Sequence, residues 1–174
     1  MTIWVSSLAA APQMAQKLKP SRVVSLLSPY DTFPTFQGMA EGSHLQVGIH
    51  DINDDIGDWI APGASDAERL IRFVEGWDKA APILIHCWAG ISRSTASAFI
   101  TACVHNPKAD EGEIAQAVRD ASETANPNRR LVAHADALLG RNGRMSKAVD
   151  EIGRGAVSEE ARAFSIPSSF MAGR

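Results

Sequence analysis

The segment Leu84–Ser94, LIHCWAGISRS, places Cys87 and Arg93 at the two ends of a short loop of small residues. An apolar run, APILIHC, leads into the loop, and a helix-forming run, RSTASAFITACV, leads out of it. A structural thiol needs no such setting. Anion chemistry does, because backbone N–H groups in a curled loop form a concave nest and the next helix adds its positive end. Gly90 supplies the backbone freedom that such a curl requires. The same field stabilises a thiolate, so Cys87 has the makings of a nucleophile. Arg93 can return to the cavity and hold two oxygens of a phosphoryl group in its planar fork.

These residues need a scaffold, and the chain offers one. IWVSSL (3–8), RVVSLLS (22–28), HLQVGIHD (44–51) and APILIHC (81–87) have the length and composition of strands. APILIHC is apolar almost throughout, as a strand buried on both faces is. Helical sequence ends at Pro20 between the first two runs, and SDAERLIRFVEGWDK carries an N-cap signal at Ser65 with Leu70, Phe73, Val74 and Trp77 on one face. RSTASAFITACV is a small-residue helix suited to close packing. Two amphipathic helices follow, in ADEGEIAQAVRDAS and in NRRLVAHADALLGRNG, the second stopped at Asn142-Gly143. The order predicts an α/β domain with a central, largely parallel sheet flanked by helices and a helical C-terminal half. The domain is expected over 1–153, with 154–174 as a tail holding one short helix and a mobile end. Cys87 then stands at the carboxyl end of a strand, where ligands of such sheets sit.

Composition narrows the function. The 174 residues suit one domain, and the hydrophobic content of 45% is that of an ordinary globular protein. No apolar run approaches the ~20 residues that cross a bilayer. The net charge of −3 makes nucleic acid a poor partner and confines anion binding to a local site. Two cysteines, Cys87 and Cys103, make no disulfide framework and no zinc-ligand pattern, and no basic residue precedes Lys17, so a reducing, cytoplasmic setting without membrane contact is expected.

HCWAGISRS matches the pattern HCxxGxxR[ST], and the chain therefore resembles the cysteine-dependent protein tyrosine and dual-specificity phosphatases. The resemblance implies a compact, dual-specificity-like fold and hydrolysis of phosphotyrosine, with phosphoserine and phosphothreonine as further substrates. It implies that Cys87 attacks phosphorus to form a phosphocysteine. Trp88, Ala89, Gly90, Ile91, Ser92 and Arg93 would bind a phosphate-like anion, Ser94 would donate a hydrogen bond to the cysteine sulfur, and His86 would orient the loop. No metal or cofactor is implied. The family also uses an aspartic acid from an upstream loop to protonate the leaving oxygen. Asp51 follows its strand as that acid does, while Asp54, Asp55 and Asp58 lie at a spacing from Cys87 nearer that of compact members.

Other residues have plainer readings. Cys103 falls about 15 Å along the next helix and belongs to the core. His44, His50, His105 and His134 show no partner pattern. Arg129 and Arg130 read as a solvated helix start rather than a substrate patch, and Tyr30 and Phe33 either line the cleft or cap the core. Two alternatives accompany the phosphatase: a phospho-residue binding module without turnover, and a phosphatase of a small, non-protein phosphomonoester. The loop contains no lysine, which disfavours a highly charged inositol headgroup.

Overall fold

Strand β4 (Ile83–Cys87) is buried along its whole length, and the architecture follows from covering it. A computed structural model describes residues 1–173. β1 (Thr2–Ser7) and β2 (Arg22–Leu27) flank β4 in parallel, β3 (His44–Gly48) lies parallel beyond β2, and β5 (Phe164–Pro167) runs antiparallel to β1. The sheet order is β3-β2-β4-β1-β5. This is the expected α/β domain with a largely parallel sheet.

Helix α1 (Ala11–Leu18) packs on β1 and β4. α3 (Arg93–His105) packs on β1, β2 and β4, and α2 (Ala64–Glu75), α4 (Glu111–Ala121) and α5 (Arg129–Leu138) gather around it. α6 (Arg144–Glu151) rests on α4 and α5. Every α3 residue from Arg93 to Cys103 is buried, which its small side chains permit. Two of the α3 hydroxyls are satisfied within the helix: Ser97 donates to the Arg93 carbonyl (2.9 Å) and Thr101 to that of Ser97 (2.7 Å). Cys103 lies in this core, and burial pushes its thiol far above the ordinary range.

Four expectations are corrected. The third strand ends at Gly48 rather than at Asp51. α2 is capped from Gly63, one residue before Ala64, because the Asp66 carboxylate accepts the Gly63 N–H (3.0 Å). Asn142-Gly143 opens α6 instead of closing a long α5, since buried Asp136 accepts the N–H groups of Gly143, Met145 and Ser146. The short helix expected in 154–174 is replaced by β5, which buries Phe164 and Ile166 along the β1 edge. The terminal Arg174 of the expected tail lies outside the described residues.

If β5 is part of the core, Ile166→Ala lowers unfolding stability by about 2–5 kcal/mol, measured by urea denaturation. A mobile tail would give almost no change.

Candidate active site

The carboxyl ends of four parallel strands meet at one edge of the sheet, with Ser7 of β1 opposite Cys87 of β4 and Leu27 of β2 opposite Gly48 of β3. The loop from Trp88 to Ser92 turns there between β4 and α3. Gly90 makes the turn with φ of 76°, and a Cβ at that position would stand 2.9 Å from the Ser6 and Ser7 backbone. Both dihedral and space therefore require glycine. The loop is fastened outside as well: the Leu8 N–H donates to the Trp88 carbonyl (3.0 Å) and the Ala161 N–H to the Ala89 carbonyl (2.9 Å). The Ser7 hydroxyl also donates to Glu160, so the segment before β5 braces the loop.

Cys87 is buried at 1% exposure, with its Sγ 3.0 Å from the Ser94 Oγ. Arg93 is the first residue of α3 and folds back over the site. Its Nη1 donates to the Ile49 carbonyl (2.8 Å), its Nε lies 4.0 Å from the Asp51 Oδ2, and its side chain is only 6% exposed. Nε has no hydrogen-bond partner among the described residues. A buried guanidinium N–H in that condition is rare unless a ligand completes it.

Of the candidate acids, Asp51 alone is brought to the loop. Its Oδ1 accepts from the Ser92 hydroxyl (2.6 Å) and from the Asn128 amide (3.1 Å), leaving Oδ2 toward Arg93. Asp55 is turned outward to Arg130 (2.8 Å), and Asp54 and Asp58 are exposed. Asn128 escaped the sequence reading. It caps α5 by accepting the Leu131 N–H (2.9 Å), and its amide also donates to the Ile52 carbonyl (3.2 Å), so one side chain joins helix start and acid loop. The N-cap pattern before RRLV was its only sequence signal. The Arg130 N–H adds a bond to the Asn53 side chain (3.1 Å) and its Nε another to the Pro62 carbonyl (2.9 Å). Arg129 opens α5 and pairs with Asp150 (2.8 Å) at a partly exposed position, as a solvated helix start does, whereas Arg130 is tied to the 51–62 loop.

Behind the loop the histidines prove to be connected. The Ser25 hydroxyl bridges the His86 Nε2 (2.6 Å) and the His44 Nε2 (2.8 Å), and the His86 Nδ1 lies 3.4 Å from the Cys87 carbonyl. His44 had shown no partner in the sequence; β-sheet register supplies it. Burial pushes His86 down to about 4, so it is neutral at neutral pH, and burial lowers His44 too. His50 accepts the Ile60 N–H (2.9 Å) and stacks on Trp59, and Tyr30 stands at 6.1 Å from the His50 ring. His105 meets the Val74 carbonyl (2.8 Å). Trp88 points outward at 60% exposure.

Residues 57–130 match the protein-tyrosine phosphatase family model. That segment holds Cys87, Arg93, Ser94 and Asn128, and Asp51 precedes it. Solved structures of similar fold include Cydia pomonella PTP-2 phosphatase (23% identity, 76% of this chain and 83% of that one, TM-score 0.59) and human DUSP28 (18%, 80% and 94%, 0.59). The human tyrosine phosphatase-like serine/threonine/tyrosine-interacting protein also matches (16%, 79% and 87%, 0.58). No curated protein matches the sequence significantly. The motif and the family match liken residues 57–130 to the protein-tyrosine phosphatases, and the fold is that of the compact dual-specificity members. No helix in the described residues is long and apolar enough to cross a membrane.

The depressed His86 ties stability to pH. With about 4 in the folded chain against 6.5 unfolded, the unfolded state takes up the proton first, so stability is full above 6.5 and falls as pH drops toward 4. Between pH 7 and pH 5 this group alone removes about 2 kcal/mol, and His86→Gln should flatten that slope in urea titrations.

Proposed function

We propose that the chain hydrolyses phosphomonoesters, with phosphotyrosine as the leading substrate and phosphoserine and phosphothreonine as further ones. The observation that carries this reading is the unpartnered, buried Nε of Arg93, 4.0 Å from the Asp51 Oδ2, at the end of the loop that begins with the Ser94-bonded Cys87. A phosphoryl oxygen would give that N–H its partner, and the loop N–H groups from Trp88 to Arg93 would hold the others.

In the first step the Cys87 thiolate forms a bond to phosphorus while the bond to the leaving oxygen breaks, and that oxygen takes a proton from Asp51. Because Oδ1 already accepts two hydrogen bonds, the transferred proton belongs to Oδ2. Water then attacks the phosphocysteine, Asp51 as carboxylate takes the water's proton, and sulfur leaves as thiolate with the Ser94 hydroxyl donating to it. His86 and Ser25 hold the strand end behind the nucleophile and exchange no proton with substrate. The placement of Asp51 weighs against a binding module without turnover, since an acid at reach of the anion serves hydrolysis and not affinity. A cytoplasmic setting is part of the same proposal.

Phosphate release from a phosphotyrosine peptide, a phosphothreonine peptide and an aryl phosphate tests it. Turnover is expected in the wild type and loss of more than a thousandfold in Cys87→Ser. Asp51→Asn should lose about a hundredfold on peptides, within the usual range for a general acid, and much less on an aryl phosphate whose leaving group needs no proton. An inert wild type would overturn the proposal.

Asn128 is a positioning residue for that acid. Asn128→Ser keeps a capping side chain but cannot span to Asp51. Peptide turnover should fall about tenfold, the worth of one hydrogen bond, with aryl phosphate turnover and thermal stability nearly kept. Equal losses on both substrates would make the role merely structural.

A further inference from the structure

The mouth of the site has an unbalanced charge. Three segments border it. Residues 28–34 approach through Tyr30, near His50; residues 50–63 contain Asp51 itself; residues 156–161 brace the loop through Ala161 and Glu160. Together they carry Asp31, Asp51, Asp54, Asp55, Asp58, Glu159 and Glu160 and not one lysine or arginine, with Asp55 held by Arg130 and Glu160 by the Ser7 hydroxyl. The cations nearby are engaged or beyond the rim: Arg93 lies on the buried floor, Arg129 pairs with Asp150, Arg130 pairs with Asp55, and exposed Arg154 and Arg162 lie on either side of the third segment.

The same rim presents flat apolar surface to solvent, with Tyr30 84%, Trp59 55% and Trp88 60% exposed. Aromatic faces beside free carboxylates attract guanidinium and ammonium groups by cation–π contact and by charge. They repel a substrate that brings further anionic groups besides the phosphate it surrenders. The floor, by contrast, is anion-seeking through the open Arg93 Nε. A ligand that satisfies both is a single phosphoryl group flanked by positive charge.

We propose that the site selects phosphotyrosine within a basic peptide context, with arginine or lysine on the flanks, and discriminates against acidic phosphopeptides and anionic phospholipids. This rests on the phosphatase reading for its substrate but on the rim for its selectivity.

The test measures binding and turnover separately. Cys87→Ser protein is titrated with fluorescent phosphotyrosine peptides flanked by arginine, alanine or glutamate. The arginine peptide should bind at least tenfold tighter than the glutamate peptide at low ionic strength, with the gap closing in 0.5 M salt, as screening demands. In wild type the same order is expected in kcat/KM, and vesicles of phosphatidylcholine with a phosphoinositide should be poor substrates. Asp58→Lys combined with Glu159→Lys should shrink the preference and leave aryl phosphate turnover unchanged. Equal or reversed binding of the two peptides overturns the proposal, and so does faster turnover of the vesicle lipid than of the arginine peptide. Selective binding without any turnover upholds it and removes the hydrolytic reading instead.

Discussion

The buried guanidinium of Arg93 is the constraint around which the rest is organised. A cation at 6% side-chain exposure is costly unless acceptors surround it. One N–H goes to the Ile49 carbonyl, which lies just past β3, and Asp51 stands two residues further on. The requirement to satisfy Arg93 therefore brings the end of β3 to the start of α3. It thereby fixes the Asp51 loop beside the Cys87 loop. Its Nε is left without a hydrogen-bond partner among the described residues.

Rigidity comes from two sides. On one, α5 begins at Asn128 and docks its first residues on the 51–62 loop, using Asn128 for Asp51 and Ile52 and Arg130 for Asn53 and Pro62. On the other, the β1 end and the segment before β5 hold the anion loop at Leu8, Ala89 and Glu160, with Gly90 pressed against the Ser6–Ser7 backbone. Preorganised donors lose nothing by reorganising when charge develops, which is why such bracing matters to phosphoryl chemistry. Beneath the loop, His86 is kept neutral by burial and satisfied by Ser25, so no second positive charge competes with Arg93.

The Cys87–Arg93 loop, the buried central strand, the small-residue helix and the α/β class were legible in the sequence because each is a local pattern. Cys87, Gly90, Arg93 and Ser94 fall within eight residues, and periodicity around them tells strand from helix. Asp51 was only one of four aspartates there, since spacing cannot say which carboxylate a loop turns inward. β5 was missed because Phe164–Pro167 has too short a period to reveal itself, and its strand character comes from the β1 edge that pairs with it. The break at Asn142-Gly143 was seen, but its role as the start of α6 depends on Asp136, a carboxylate from the previous helix.

Local chemistry, then, was determined by the sequence alone: a thiol, a glycine turn and an arginine in one short loop have few uses other than holding an oxyanion. Tertiary structure decided which distant groups complete it. The Ser92–Asp51–Asn128 contacts and the His44–Ser25–His86 chain join residues from separate elements, and their partners are set by parallel register and helix docking. Hydrogen bonds of that kind depend on ångström-scale placement, which residue types and spacing do not encode until the chain has folded.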